Sequence, residues 1–151
     1  MLNPITGQSF VPGGGQLFSG TVNEDGSATL LNRLCIETNN GQSPIAGEGY
    51  PIQQTDVSAI TYGILNRSTG LWVAQNQPLT VSAVIFDSLQ QGMGPIWVQD
   101  EIGYNFRHAL PPASFPAGKC LYRYEAQFTL AAGGTFWIRW DLLAGEIYTA
   151  G

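Results

Sequence analysis

The sequence predicts an all-β fold: a single antiparallel β-sandwich, immunoglobulin-like, carrying an extended Gly/Pro-rich N-terminal arm. Three observations predict it. Apolar and polar residues alternate with a period of two in one segment after another. Turn signals recur roughly every 8–12 residues, the spacing of short strands in a sandwich. No stretch keeps a helical period beyond one or two turns.

The elements follow in chain order. Residues 1–20 form the arm, because Pro12-Gly13-Gly14-Gly15 holds neither a helix nor a central strand. Its apolar residues, among them Leu2, Ile5, Phe10, Val11, Leu17 and Phe18, are too many for a flexible tail, so it should order against its own body or a neighbouring subunit. Residues 21–151 form the sandwich. Asn23-Glu24-Asp25-Gly26 is a turn, and Asp-Gly is a hairpin cue. A strand follows over 28–37, ended by Asn39-Asn40-Gly41 and a glycine-rich loop to about residue 50. Strand 56–66 places Ile60, Tyr62 and Ile64 on one face, residues 66–70 turn, and 71–74 return. Pro78 introduces LTVSAVIF (79–86), rich in β-branched residues and read as a strand. Asp87 then heads one helical turn over 87–91. Strand 103–110 puts Tyr104, Phe106, His108 and Leu110 on one face. After a proline-bracketed crossover, strand 119–130 is the longest, and 135–142 closes the sheet with Phe136, Ile138, Trp140 and Leu142 inward and Trp137, Arg139 and Asp141 outward.

Composition narrows the partners. Charged residues make up 11% of the 151, against roughly 25% in a typical domain, and Lys119 is the single lysine. Faces that end up covered by partners lose charge, lysine above all, because desolvating it is costly. The net charge is −5 and there is no basic run, so neither nucleic acid nor an anionic membrane surface is expected as a partner. No apolar run approaches the length of about 20 residues that spans a bilayer, and no signal peptide is visible, so synthesis in the cytoplasm is expected.

No residue set supports catalysis, a metal or a cofactor. His108 is the single histidine and shares a face with aromatics, which reads as a hydrogen-bonded core residue. Asp100 and Glu101 are adjacent on the chain and cannot by themselves flank a sugar as a glycosidase pair does. No GxSxG occurs, and the glycine run at 13–15 lacks the GK[ST] ending of a phosphate loop. Cys35 falls on the outward face of its strand with Arg33 and Glu37, whereas Cys120 falls on the apolar face of its own, so no inter-sheet disulfide is expected. Trp72, Trp97 and Trp137 are the candidates for exposed contact patches; such aromatics either anchor a subunit interface or stack on sugars.

The series DVSAITYGILNRSTG, PLTVSAVIFDSLQQ, GYNFRHALP and FPAGKCLYRYEAQFTL, residues 56–130, resembles a group of small β proteins encoded among the structural genes of tailed bacteriophages and prophages. Its most specific piece is Gly103-Tyr104-Asn105-Phe106-Arg107-His108. The resemblance implies a virion component and brings no catalytic assignment with it; with no catalytic residue set in the chain, a non-enzymatic protein is expected. The chain is therefore expected to be a structural protein of the particle (capsid decoration, neck or tail), a homo-oligomer that also binds other virion proteins. Phe10, Val11, Leu17, Phe18 and Trp137 are the expected contact residues. The alternative is a carbohydrate- or receptor-binding sandwich, which requires an exposed tryptophan pair on a concave face ringed by Asn, Gln and Asp.

Overall fold

A computed structural model describes residues 5–11, 16–23, 26–36, 50–90 and 103–145. They fold as an all-β sandwich of two five-stranded sheets. The first sheet runs β1 (Ile5–Val11), β3 (Ala28–Ile36), β8 (Tyr104–Leu110) and β7 (Ile85–Gln90), with β4 (Tyr50–Pro51) also on β3. The second runs β2 (Gln16–Asn23), β10 (Thr135–Gly145), β9 (Cys120–Leu130), β5 (Val57–Asn66) and β6 (Leu71–Leu79). This strand order is that of an immunoglobulin-like sandwich whose second sheet is extended at both edges. One tyrosine carries a further mark of that class. The Tyr122 hydroxyl, at the start of β9, accepts from Ala117 N–H at 2.9 Å and donates to the Ala117 carbonyl at 3.1 Å.

The main body is antiparallel, with two parallel pairings added by the N-terminal segment: β1 on β3 and β2 on β10. The segment expected as an arm therefore enters the chain's own hydrogen bonding, one strand in each sheet. A boundary at residue 20 divides β2 within its pairing with β10. The physical reason is that the edges of β3 and β10 offer rows of unmatched N–H and C=O groups, which a neighbouring segment satisfies.

The core lies between the sheets. Leu30, Leu34, Phe106, Phe128, Ile138 and Trp140 are fully enclosed, and Phe106 stacks near Trp140 with centroids 6.4 Å apart. The inward set of β10 is the one the alternation predicts: Phe136, Ile138, Trp140 and Leu142 are buried. Strand β3 is different, because residues 30–35 are buried without interruption. Cys35 points away from the core cluster, as predicted, yet its surroundings leave it 1% exposed; it and Cys120 are not joined in a disulfide. A central strand covered on both faces loses the alternation that a half-solvated one shows.

Two neighbouring expectations are exchanged. The run 79–86 is no continuous strand: β6 carries on through Pro78 to Leu79, and Val81–Val84 forms one helical turn, the short helix α1. Residues 87–90, read as helical, lie instead in β7. The chain must cross here from the edge of one sheet to the edge of the other, and a single turn achieves that while burying the consecutive Val84 and Ile85. Pro78 is tolerated because β6 is an edge strand. Asp87 still caps a helical turn, but a distant one: its carboxylate accepts from Gln54 N–H at 2.7 Å, at the start of the 3-10 turn Gln54–Asp56.

The most specific sequence segment, 103–108, is a structural junction. Gly103 has φ +112° and lies against the Gln90 carbonyl, where a Cβ would stand 2.5 Å from the oxygen. Its own carbonyl accepts from buried Arg33 at 3.2 Å. Asn105 fills the gap where β8 leaves β3 and β4 takes over. Its Oδ1 accepts from Leu34 N–H at 2.7 Å, and its Nδ2 donates to the carbonyls of Leu34 and Ile52 at 2.9 and 3.0 Å. The alternation breaks at this residue. Phe106 and Leu110 join the main core as predicted, but Tyr104 packs in a separate cluster with Leu31 and Phe86.

Candidate functional site

The outer face of the second sheet is built from cross-strand rows that the register defines. Trp137, Gln127 and Thr61 form one row across β10, β9 and β5; Arg139, Glu125 and Gly63 form the next; Asp141, Arg123 and Leu65, with Trp72 of β6, form the third. Charges on this face are matched across strands. Arg123 makes a bidentate pair with Asp141 at 2.8 and 3.2 Å, and Arg139 Nε donates to Glu125 Oε1 at 2.9 Å. The hydrogen bond to Asp141 holds the Arg123 guanidinium above its ordinary basicity, outweighing partial burial.

Within this face lies a cleft of about 240 Å³, lined by Thr61, Tyr62, Gly63, Trp72, Gln75, Asn76, Glu125, Gln127 and Trp137. Gly63 is its floor. A Cβ there would sit 3.1 Å from the Trp72 ring, so the missing side chain is what lets the indole lie down on the sheet. The register between β5 and β6 shifts on both sides of Ile64, and Asn76 adopts φ +52°. Asparagine is among the few side chains that accept that conformation readily. The shift and the reversal bring Gln75 and Asn76 to the cleft. Opposite them, the Arg139 guanidinium stands 4.3 Å from the Trp137 ring centroid, which fixes that indole by cation–π attraction.

No protein-family model, curated protein or solved structure matches the chain.

Trp137 is exposed, as its alternation predicts, and so is the candidate Trp72, at 39% and 44%; the fold brings them to the two sides of one cleft. Phe10 and Val11 lie in β1, and Leu17 and Phe18 in β2; the main chain of all four pairs within the chain's own sheets. Trp97, Asp100, Glu101, Glu24, Asp25 and the glycine run 13–15 lie outside the described residues. Among the described residues no cluster of three His, Cys, Asp or Glu could hold a metal ion, and no helix is long and apolar enough to cross a membrane.

His108 is in the core. Its Nδ1 lies 2.7 Å from the Tyr124 hydroxyl, and Tyr62 meets the ring edge-on at 4.6 Å. Desolvation pushes the imidazole down to about 4, which keeps it neutral at pH 7, with Nδ1 able to accept from the tyrosine. Burial, and then the neighbouring Tyr62, raise the Tyr124 hydroxyl well above its ordinary value. His108 and Tyr124 make a buried inter-sheet polar contact, with the half-buried Tyr62 packed against both rings.

The sequence reading overlooked Gly63, Gln75, Asn76, Glu125 and Gln127. The available signal for the last two was the outward phase of β9. For Gln75 and Asn76 there was none, since the return strand was ended at Ala74 and a register shift leaves no mark in the alternation.

Proposed function

We propose that this chain is a non-enzymatic structural protein of a tailed-bacteriophage particle, acting through contacts with copies of itself and with other virion proteins. One observation carries the reading. Strand β6 is a nine-residue sheet edge on which Leu71, Trp72 and Val73 are all exposed, and none of its residues is charged. Free-standing proteins protect such edges with lysines, inward charges or covering loops. Here Pro78, near the far end, and the register shifts beside Ile64 interrupt the edge, but no charge guards it. An uncharged edge with apolar side chains suits pairing with another subunit, where main-chain hydrogen bonds supply affinity. The charge-poor composition and the resemblance of residues 56–130 to phage structural proteins support the same reading.

The test is light scattering after size exclusion on the intact chain and on Val73→Lys. The intact chain should assemble, and the lysine variant, with unchanged circular dichroism, should run as a monomer. An intact chain that stays monomeric at every concentration and binds no capsid, neck or tail protein of a tailed phage overturns the reading.

A further inference from the structure

We propose that the cleft between Trp72 and Trp137 is a binding site for neutral oligosaccharide, a property separate from assembly through the β6 edge. The inference assigns Trp137 to ligand rather than to subunit contact. A pyranose ring has an apolar C–H face and a rim of hydroxyls, each both donor and acceptor. Its site needs flat apolar platforms flanked by groups able to donate and accept. The cleft supplies both: two indoles, and around them the amides of Gln75, Asn76 and Gln127, the hydroxyl of Thr61 and the carboxylate of Glu125.

The platforms are held in advance. Trp72 rests over Gly63, and Trp137 is braced by Arg139, which also holds Glu125. Groups fixed before binding lose little freedom when the ligand arrives. Trp137 stands on β10 and the Trp72 ring reaches back over Gly63 on β5, so the two platforms are two strand spacings apart, roughly 10 Å, a span longer than one pyranose ring. A linear stretch of two or more sugars therefore fits better than a monosaccharide.

The electrostatics select a neutral sugar. The only ionised pair at the cleft among the described residues is Arg139 with Glu125, which compensates itself, so no net field favours a sulfated, phosphorylated or amino sugar. A proline-rich peptide also docks on aromatic ridges, but it offers few hydrogen-bonding groups for the ring of amides.

The experiment uses the full chain against an immobilised panel of neutral tri- to hexasaccharides of glucose, galactose, mannose and N-acetylglucosamine, followed by calorimetry on the best binder. Trp72→Ala and Trp137→Ala should each weaken binding roughly tenfold or more, and Trp→Phe at the same positions should restore part of it, because a smaller platform remains. Gln127→Ala should weaken it with the fold intact by circular dichroism. Binding to no panel member at millimolar sugar overturns the proposal. So does binding that survives both tryptophan substitutions, or a proline-rich peptide that binds this cleft while the sugars do not. Val73→Lys, which disables the β6 edge, should leave sugar binding unchanged, so the failure of one reading is visible apart from the other.

Discussion

Acidification should weaken this fold through His108, and the size of the effect follows from its surroundings. An imidazole in the unfolded chain titrates near 6.5, whereas burial brings the folded value to about 4. Between those values the unfolded chain holds a proton that the folded one refuses, so stability is complete above 6.5, falls as the pH drops toward 4, and is flat below it. A difference of about 2.5 pK units corresponds to about 3 kcal/mol in total, of which about 2 kcal/mol should be lost between pH 7 and pH 4.5. The perturbation is His108→Gln, whose amide can still accept from the Tyr124 hydroxyl. The assay is urea unfolding of both proteins across pH 4–7, read by tryptophan fluorescence. Carboxylate titration contributes equally to both and cancels in the difference. The native chain should lose about 3 kcal/mol more than the variant between pH 7 and pH 4. Parallel stability curves would refute the placement of a neutral, desolvated imidazole between the sheets.

Other outcomes follow from particular contacts. Asn105→Ala should cost about 3 kcal/mol or more in chemical denaturation, since it strands Leu34 N–H and the Ile52 carbonyl in a buried gap; a loss under 1 kcal/mol speaks against the junction. Tyr122→Phe should cost about 1–2 kcal/mol through both bonds to Ala117, with little change in the spectrum of the folded state. Asn32→Leu should raise the unfolding midpoint, by about 1 kcal/mol of stability, because the buried Asn32 amide makes no hydrogen bond with either polar atom; a lowered midpoint contradicts that. Gly63→Ala should both change Trp72 fluorescence and lower the melting temperature, since the added Cβ would meet the Trp72 ring and the Ala74 carbonyl, each at 3.1 Å.

Much of the fold is legible in the chain. On β9 and β10 one face meets the core and the other meets water, so the period of two survives and sorts Trp140 inward and Trp137 outward. The hairpin at 66–70 is equally readable, because Asn66 Oδ1 accepts from Ser68 and Thr69 N–H in a local turn. Legibility fails where the environment is not local. β3 is buried on both faces, so its outward thiol is enclosed. Residues 79–90 exchange helix for strand because a crossing between two sheets overrides the propensity of β-branched side chains.

The alternation of single strands is thus decided by sequence: it makes the chain all-β, names most of the core, and exposes Trp137, since the side-chain period of a strand depends on nothing beyond the strand. Which strands become neighbours is decided by tertiary structure alone. The insertion of β1 and β2 into opposite sheets, the role of Asn105 at a strand junction, and the meeting of Trp72 with Trp137 across the sheet all rest on pairing register. Register is a property of two segments at once, and a shift of one residue, as beside Ile64, redirects side chains without altering either segment's own pattern.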